Sequence, residues 1–204
     1  MKEERSLGMI SQVRTLAFPR TLHGQLFLAT GFALLTALGA LVQIPIGPVP
    51  ITLQVLFVLL SGLVLGSRLG ALSQMEYLAI GFAGAPVFAQ GKSGLIALLG
   101  PTGGYLVGFV LGAYVAGLVA ESVARPGRVR FFVAGLLGTA GIYLCGMMWL
   151  ATWFAIGRGT NWLAELGSAW QFGVLPFVLV DSGKAVVASA VTLSGRGLAS
   201  FLKQ

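Results

Sequence analysis

Apolar runs close to the ~20 residues that a helix needs to cross a bilayer recur along most of this sequence. Only 9% of its 204 residues are charged and 56% are hydrophobic, whereas about a quarter of the residues of an ordinary soluble domain are charged. A water-soluble surface cannot be built from so few charges. The sequence therefore predicts an all-α, polytopic integral membrane protein.

Six membrane-spanning helices are predicted, over residues 25–46, 52–67, 69–84, 104–124, 131–155 and 173–194. They form one transmembrane domain, residues 25–194, between an N-terminal segment (1–24) and a C-terminal tail (195–204). The first apolar run has no evident small-residue cleavage site and more spans follow it, which predicts a retained helix rather than a signal peptide.

Charge placement predicts that both termini are cytoplasmic, because loops left in the cytoplasm carry an excess of Lys and Arg. With the N-terminus inside, the outer loops hold only Lys92 and Arg158, and Lys184 lies within the last span. The inner segments hold Lys2, Arg5, Arg14, Arg20, Arg68, Arg125, Arg128, Arg130, Arg196 and Lys203. The net charge of +7 follows this topology and does not indicate nucleic-acid binding, since no basic face is formed.

The residues that catalysis or metal binding would need are missing. The GKS word at residues 91–93 lacks the preceding glycine of a phosphate-binding loop, because Pro86 stands there. Ser182 has no histidine base within the spans, since the only histidine is His23. The lone Cys145 excludes a disulfide framework. We therefore expect no enzyme activity, no metal and no cofactor.

Small residues recur every four positions in the fourth predicted span and predict close helix packing. They are Gly104, Gly108, Gly112, Ala116, Ala120 and Ala124. Ala33 and Ala37 form a smaller patch of the same kind in the first span, which could face another helix of this chain or a separate protein.

Two outer connections are unusually apolar. Residues 44–52, IPIGPVPIT, contain three prolines and no charge, so they cannot form a regular helix and must fold over protein or a cavity. Residues 84–104, called the cover segment below, alternate Gly and Pro turns with apolar runs. We expect this segment to lie back on the helix bundle as a cover.

Ionisable residues inside the predicted spans are the main functional signal, because a charge near the bilayer centre costs about 2.5–3.5 kcal/mol. Asp181 and Lys184 are three residues apart and can meet on one helical face. They either form a self-neutralising pair that only locks the helix in place, or they contact a ligand. Glu76, in the third span, either snorkels, pairs with a cation such as Lys184, or contacts a ligand. With Lys92 on the cover segment, these residues suit a small ligand with amide-like groups at one end and an anion at the other.

The words PVPITLQ, GAPVFA and GPTGGY, followed by VDSGK, resemble the BioY family of biotin transporters over about residues 25–194. The resemblance implies a six-helix substrate-binding (S) component of an energy-coupling factor (ECF) transporter, with a biotin site that opens outward. It also implies a plasma-membrane location, a transmembrane coupling subunit and two ATPase subunits as partners, or self-association if the protein is solitary.

The same resemblance implies roles for individual residues. Asp181 and Lys184 match an Asp-x-x-Lys pair that is expected to hold the ureido ring, and Lys92 stands where a basic residue, often arginine, is expected to meet the valerate carboxylate. The first loop would place Thr52 and Gln54 at the site. The patch at Ala33 and Ala37 is similar to the motif by which S components dock on the coupling subunit.

Two other classes of function remain open at the level of sequence. In a stand-alone secondary transporter or channel, Glu76, Asp181 and Lys184 would form a proton relay rather than a binding site. A membrane enzyme is the more distant alternative, because its nucleophile, base and metal ligands are missing.

Overall fold

The computed structural model describes residues 21–123 and 127–201, with side chains up to residue 195. Eight α-helices lie in these ranges: α1 (Leu22–Leu41), α2 (Gln54–Leu65), α3 (Ser67–Phe82), α4 (Gly94–Leu99), α5 (Gly103–Glu121), α6 (Arg128–Arg158), α7 (Leu166–Gly173) and α8 (Val178–Phe201). A single 3₁₀ turn spans Ala89–Gly91. The predicted inner residues Lys2, Arg5, Arg14, Arg20, Arg125 and Lys203, and the side chain of Arg196, lie outside the described part.

Each predicted span contains a helix, but the helices differ in length. Among the described residues, four stretches are long and apolar enough to cross a membrane: Leu22–Leu41, Gly103–Glu121, Arg128–Arg158 and Val178–Gly195. α2 is apolar but has only 12 residues, and α3 has 16. The fold is thus that of a helical membrane protein with several spans.

The first predicted span, residues 25–46, is too long. α1 ends at Leu41, and the proline-rich connection then forms a short antiparallel hairpin of β1 (Gln43–Ile44) and β2 (Ile51–Thr52). The prolines explain the difference, because they cannot donate the backbone hydrogen bonds that a continued helix requires.

A single residue, Gly66, joins α2 to α3. It has a φ of 89°, a conformation that L side chains avoid, and the turn is fixed from outside by the end of α5. The Glu121 carboxylate accepts hydrogen bonds from the Ser67 backbone N–H (3.0 Å) and hydroxyl (2.7 Å). A carboxylate at this position also interacts favourably with the N-terminus of α3.

The small-residue stripe packs α5 closely against another helix, as predicted, and the structure identifies that helix as α6. An added Cβ at three of its positions would collide with the α6 backbone: 2.5 Å from the Cys145 carbonyl oxygen at Gly104, 2.9 Å from that of Ile142 at Gly108, and 2.9 Å from that of Gly138 at Gly112. Ala116 and Ala120 are buried on the same stripe, and Ala124 lies outside the described residues.

The Ala33 patch faces the interior of the chain's own bundle. Ala33 is only 1% exposed and belongs to the core, and Ala37 is half-buried against that core. α1 packs on α2 and α3 here, so closely that an added Cβ at Gly39 would lie 3.0 Å from the Gln54 backbone nitrogen. Ala33 therefore packs against other helices of this chain, which is one of the two alternatives left open by the sequence.

The last predicted span, residues 173–194, begins too early. α7 ends at Gly173, and the chain breaks around Pro176 before α8 starts at Val178. The Tyr105 hydroxyl donates a hydrogen bond to the Gly173 carbonyl (2.8 Å) and holds this break against α5. The break places the first turn of α8, with Asp181 in it, deep inside the bundle.

An ion pair closes the connection between α6 and α7. Arg158, at the end of α6, donates to the Glu165 carboxylate and to the Ser168 hydroxyl, and the Thr160 hydroxyl also donates to Glu165 (2.9 Å). Burial alone would raise the pKa of Glu165, but the hydrogen bonds from Thr160 and Ser168 and the charge of Arg158 outweigh it and lower the pKa.

Candidate functional site

Two opposite charges meet in the interior of the bundle, on the first turns of α8. The Lys184 Nζ lies 2.5 Å from the Asp181 Oδ1. Asp181 is 2% exposed and Lys184 is 7% exposed. The i, i+3 spacing therefore brings the two side chains together as the sequence predicts. The Asp181 carboxylate also lies near the positive end of the α8 dipole, which stabilises its charge.

Tyr143 of α6 completes this cluster. Its hydroxyl donates a hydrogen bond of 2.7 Å to the Asp181 Oδ2. Each carboxylate oxygen thus holds one partner and keeps a lone pair free, because an ionised carboxylate has about four acceptor sites. Tyr143 was not foreseen from the sequence, since nothing in an apolar helix marks which tyrosine faces the interior.

A narrow cavity, open to solvent at its mouth, adjoins the pair; the empty space of about 560 Å³ in and around it includes open solvent. Its walls combine this polar cluster with aromatic and aliphatic side chains from α2, α5 and α6, the proline-rich connection and the cover segment. The lining residues are Val49, Pro50, Thr52, Gln54, Val55, Phe88, Ala89, Thr102, Tyr105, Leu106, Phe109, Ile142, Tyr143, Phe177, Asp181 and Lys184. A polar end and an apolar body are typical of sites for small molecules.

The proline-rich connection forms one wall, as its composition predicts. Val49 is 6% exposed, and Val49 and Pro50 both face the cavity. Thr52, the last residue of β2, and Gln54, the first residue of α2, also line it. The Thr52 hydroxyl donates to the Gln54 Oε1 (2.9 Å) and accepts from the Gln54 backbone N–H (3.2 Å).

Tyr77 of α3 links this wall to the cover segment. Its buried hydroxyl accepts a hydrogen bond of 2.6 Å from the Gln54 Nε2 and donates one of 3.0 Å to the Val87 carbonyl. The ring packs edge-to-face on Phe88, with 5.5 Å between the ring centroids. One side chain thus holds a cavity residue on one side and the cover segment on the other.

The cover segment lies on the bundle, as predicted. Phe88 is 2% exposed and, with Ala89, reaches the cavity, while α4 buries Ala97. Lys92 follows the 3₁₀ turn, and its carbonyl accepts a hydrogen bond from the Phe88 N–H (3.1 Å). The Lys92 side chain is exposed and does not line the cavity.

Glu76 stands apart from the cavity. It is half-buried on α3, and its Oε2 accepts a hydrogen bond of 2.9 Å from the Thr30 hydroxyl of α1. It contacts neither Asp181 nor Lys184, which pair with each other. The geometry therefore does not support Glu76 as a ligand contact, and it breaks the proton relay in which Glu76 would join the pair.

A second, wider groove lies on α5 and α6 and is lined by Leu98, Gly103, Gly104, Val107, Cys145, Met148, Trp149, Thr152 and Trp162. It contains no charged side chain, so the polar cavity is the better candidate site. Within residues 21–123 and 127–201, no group of three or more His, Cys, Asp or Glu side chains could hold a metal ion.

The cavity can bind a ligand that carries both hydrogen-bond donors and an acceptor at one end. Asp181 can accept from a ligand N–H, and Lys184 can donate to a ligand carbonyl, in bonds that the charges strengthen. The aromatic side chains of the lining, Phe88, Phe109 and Phe177, would enclose a compact apolar ring. The sequence pointed to the charges but not to these walls, because aromatic residues are common throughout the spans.

Comparison with known proteins gives a consistent result. The model of the BioY family matches residues 10–200 of this chain. The biotin transporter BioY of Thermotoga maritima is 41% identical over 169 residues, which cover 83% of this chain and 94% of that protein. The probable biotin transporter BioY of Pyrococcus horikoshii is 42% identical over 165 residues, covering 81% and 90%. The biotin transporter BioY2 of Lactococcus lactis is 34% identical over 178 residues, covering 87% and 90%.

The fold also matches a solved structure. It superimposes on the crystal structure of the S-component for biotin from an ECF-type ABC transporter with a TM-score of 0.71. The match covers 91% of this chain and 96% of that one, at 24% sequence identity. At this identity the likeness concerns the arrangement of the helices.

Proposed function

This chain belongs to the BioY family, and from that premise we propose that it binds biotin and transports it across the cell membrane as an S component. The observation that carries the proposal is the buried Asp181–Lys184 pair at the wall of a cavity. A pair that served only to lock a helix would be replaced by apolar residues at little or no loss of stability. Its contact with an internal space is explained by a ligand.

The ureido head of biotin is chemically complementary to this pair. Its N–H groups would donate to Asp181 and its carbonyl would accept from Lys184. The Tyr143 hydroxyl holds the second carboxylate oxygen and so keeps Asp181 oriented for the ligand. Thr52 and Gln54, which line the cavity, would supply further polar contacts, and the aromatic walls would enclose the ring system.

Calorimetry with purified variants tests this assignment. Asp181→Asn and Lys184→Met each remove a charge-assisted hydrogen bond, worth about 1.5–3 kcal/mol, so we expect biotin affinity to fall by about one to two orders of magnitude. Ser189→Ala is the matched control, because Ser189 is buried on α8 but does not line the cavity. Wild-type affinity in both charge variants would refute the role of the pair.

We further propose that Lys92 meets the valerate carboxylate. Two observations support this: Lys92 lies three residues from the cavity-lining Ala89, and its exposed side chain is free to turn toward the cavity mouth. Biotin methyl ester should bind more weakly than biotin to the wild type, and Lys92→Ala should remove the difference. If this variant still prefers the acid as strongly, the carboxylate lies elsewhere.

The proposed topology has six spans, both termini in the cytoplasm of the cell, and a site that opens outward. The ten-to-two distribution of basic residues between inner and outer segments supports it. The topology can be measured in intact cells by labelling single cysteines from outside. The cysteines are introduced at the N-terminus or at Lys92, in a background without Cys145. Labelling of the N-terminal cysteine from outside would contradict the orientation.

We propose that a transmembrane coupling subunit and two ATPase subunits energise the transport. The alternative is a solitary transporter, which self-associates or works alone. Biotin uptake into proteoliposomes distinguishes the two: the first requires the partner subunits and ATP, and the second occurs with this chain alone. Uptake by the chain alone that collapses with the proton gradient would favour the solitary alternative.

A further inference from the structure

The wider groove on α5 and α6, called the α5/α6 groove below, shares no lining residue with the cavity beside Asp181. No charged side chain lines it. Two of its polar side chains bond within the protein: the Trp149 indole N–H donates to the Gly100 carbonyl (2.8 Å), and the Thr152 hydroxyl donates to the Met148 carbonyl (3.0 Å). An occupant of the groove must therefore be apolar along most of its length.

The groove continues a side of α5 that is exposed along the whole helix. The exposed side chains Val107, Leu111, Tyr114 and Leu118 recur at intervals of three and four residues, which places them on one helical face. Gly141 of α6 adjoins this face, since an added Cβ there would lie 3.5 Å from Leu111. Because α5 and α6 are both long and apolar enough to cross a membrane, lipid covers this face. Val107 also lines the groove, so the groove belongs to the same lipid-covered surface.

The length of the groove fits one leaflet of a bilayer. Cys145, which lines it, lies 13 residues before Arg158, the last residue of α6. At 1.5 Å per residue this distance corresponds to about 20 Å, and one leaflet contributes half of a hydrocarbon core that is about 30 Å thick. A single acyl chain can therefore run along the groove from one end to the other.

Trp162, beyond the end of α6, lines the outer end of the groove. It is 44% exposed, and within the described part of the chain its indole N–H donates to no acceptor. Tryptophan is enriched at the membrane–water interface, where one end of the side chain is apolar and the other is polar. The outer end of the groove thus offers one hydrogen-bond donor at the level of the lipid ester and phosphate oxygens.

The cover segment reaches into the same layer. Its short helix α4 exposes three large apolar side chains, Leu95 (64%), Ile96 (83%) and Leu99 (66%), while Leu98 lines the groove. In water, each exposed side chain would forgo about 1.5–3 kcal/mol of burial, whereas acyl chains of the outer leaflet would surround it. α4 therefore lies where a lipid in the groove would touch it.

We propose that the α5/α6 groove binds one acyl chain of an outer-leaflet phospholipid, and that this lipid holds the cover segment over the cavity. The groove and the cavity lie on either side of the start of α5, because Thr102 lines the cavity and Gly103 lines the groove. The lipid packs on Leu98 and on Trp149, whose indole N–H holds Gly100 of the cover segment. The inference goes beyond the proposed function and rests on it only for the outward orientation of the cover segment.

The first test uses contact quenching and needs no biotin. Bromine atoms on an acyl chain quench tryptophan fluorescence at contact. A protein with Trp153→Phe and Trp170→Phe, both exposed positions outside the groove, keeps only the two groove tryptophans. Purified without lipid in detergent, it is titrated with a phosphatidylcholine that is brominated in mid-chain. Emission should fall about twofold and level off at about one lipid per chain.

Two results of this titration overturn the inference. One is emission that falls in proportion to the added lipid without levelling off, which indicates unspecific contact. The other is unchanged emission. If light scattering shows that the unquenched chain is a dimer, the groove is assigned to a second copy of the chain instead of a lipid.

A pair of substitutions then tests whether the groove itself holds the lipid. Val107→Phe combined with Thr152→Phe fills the groove from both helices, and neither residue lines the cavity. The matched control combines Val187→Phe with Val191→Phe, two exposed valines of α8 away from the groove. In the same tryptophan background, the groove pair should abolish the saturable quenching and the control pair should retain it. Saturable quenching that survives in the folded groove pair overturns the assignment of the lipid to this groove.

Biotin dissociation tests the role of the lipid at the cover segment. Adding phosphatidylcholine should slow biotin release from the detergent-purified wild type at least threefold in stopped flow, and it should not change release from the groove pair. Without lipid, the groove pair should bind biotin as the wild type does. Saturable quenching with no change in biotin release would overturn the role of the lipid in holding the cover segment. A wild type that does not bind biotin would refute the proposed function and leave the quenching result standing.

Discussion

Tyr77→Phe removes a single hydroxyl from the hydrogen-bond chain that joins the cavity to the cover segment. In the wild type this hydroxyl accepts from the Gln54 Nε2 (2.6 Å) and donates to the Val87 carbonyl (3.0 Å). The phenylalanine keeps the edge-to-face contact with Phe88, so the packing of the ring is preserved. The variant therefore isolates the two hydrogen bonds.

The expected magnitude follows from what the missing hydroxyl leaves behind. Gln54 is 3% exposed, and an unsatisfied buried polar group costs about 1–3 kcal/mol. The Val87 carbonyl belongs to a half-buried residue and can turn toward water, so we count Gln54 alone and expect a loss of about 1–3 kcal/mol in folding free energy. The amide of Gln54 also loses its orientation toward the cavity. We expect about tenfold weaker biotin binding, equivalent to about 1.4 kcal/mol.

Three measurements check this prediction: thermal unfolding in detergent, calorimetric affinity, and the dissociation rate of biotin by stopped flow. Dissociation should accelerate more than association slows, because the cover segment loses its attachment at Val87. The control is Tyr114→Phe, since Tyr114 is an exposed tyrosine of α5 without a described hydrogen bond. If Tyr77→Phe leaves both the affinity and the dissociation rate at wild-type values, Tyr77 is only a packing residue and the reasoning is wrong.

Three further predictions follow from other contacts. Tyr143→Phe removes the hydrogen bond to one carboxylate oxygen of Asp181, and a hydrogen bond to a charged group is worth about 1.5–3 kcal/mol. In the same calorimetric assay, the variant should bind biotin about tenfold or more weakly. Unchanged affinity would argue against an orienting role of Tyr143. Gly112→Ala places a Cβ 2.9 Å from a carbonyl oxygen of α6 and should lower the unfolding temperature by an amount equivalent to about 1–3 kcal/mol, whereas Gly141→Ala, whose Cβ would have its nearest neighbour at 3.5 Å, should not. Burial raises the pKa of Glu165, but hydrogen bonds and the neighbouring Arg158 guanidinium outweigh this effect and lower the pKa. The Glu165 carboxylate therefore stabilises the fold at pH values above the unfolded pKa of about 4.3. This contribution is lost as the pH falls through the lowered pKa of the folded state. The difference in unfolding temperature between wild type and Glu165→Gln should hence stay constant near neutral pH and shrink in acid.

The apolar spans were predictable because hydropathy reports them directly, whereas the short helices α4 and α7 lie where the sequence predicted connections. The small-residue stripe also identified the packing face of α5, since only glycine and alanine allow such close backbones, but it did not show that the partner is α6. Helix ends were predicted less well where hydropathy continues through a break. The chain stays apolar across Pro45 and Pro176, yet α1 ends before the first of these prolines and α8 begins after the second.

The rotation of each helix about its axis is what the sequence could not supply. A soluble helix marks its inner face by polarity, but a membrane helix is apolar on every side. Asp181 and Lys184 were identifiable because their charges are costly in lipid and their spacing lets them meet. The same cost argument also selected Glu76, which faces α1 instead of the cavity, and it could not select Tyr143 or Tyr77, whose hydroxyls become informative only when their partners are known.

We expect the polar end of the cavity to discriminate by charge as well as by shape. Asp181 and Lys184 neutralise each other at 2.5 Å, so a neutral head group that both donates and accepts can bridge them without leaving a net charge in the bundle. An anionic head would compete with Asp181 for Lys184 and leave the carboxylate unpaired, and a cationic head would do the reverse; breaking a buried pair in this way costs about 3–5 kcal/mol. Biotin satisfies this condition only if its ureido ring enters first and its carboxylate stays toward the mouth, on the side of the cover segment. Desthiobiotin, which retains the ureido ring, should therefore bind, whereas an analogue with a guanidinium in place of the ureido group should be rejected by at least a hundredfold in affinity.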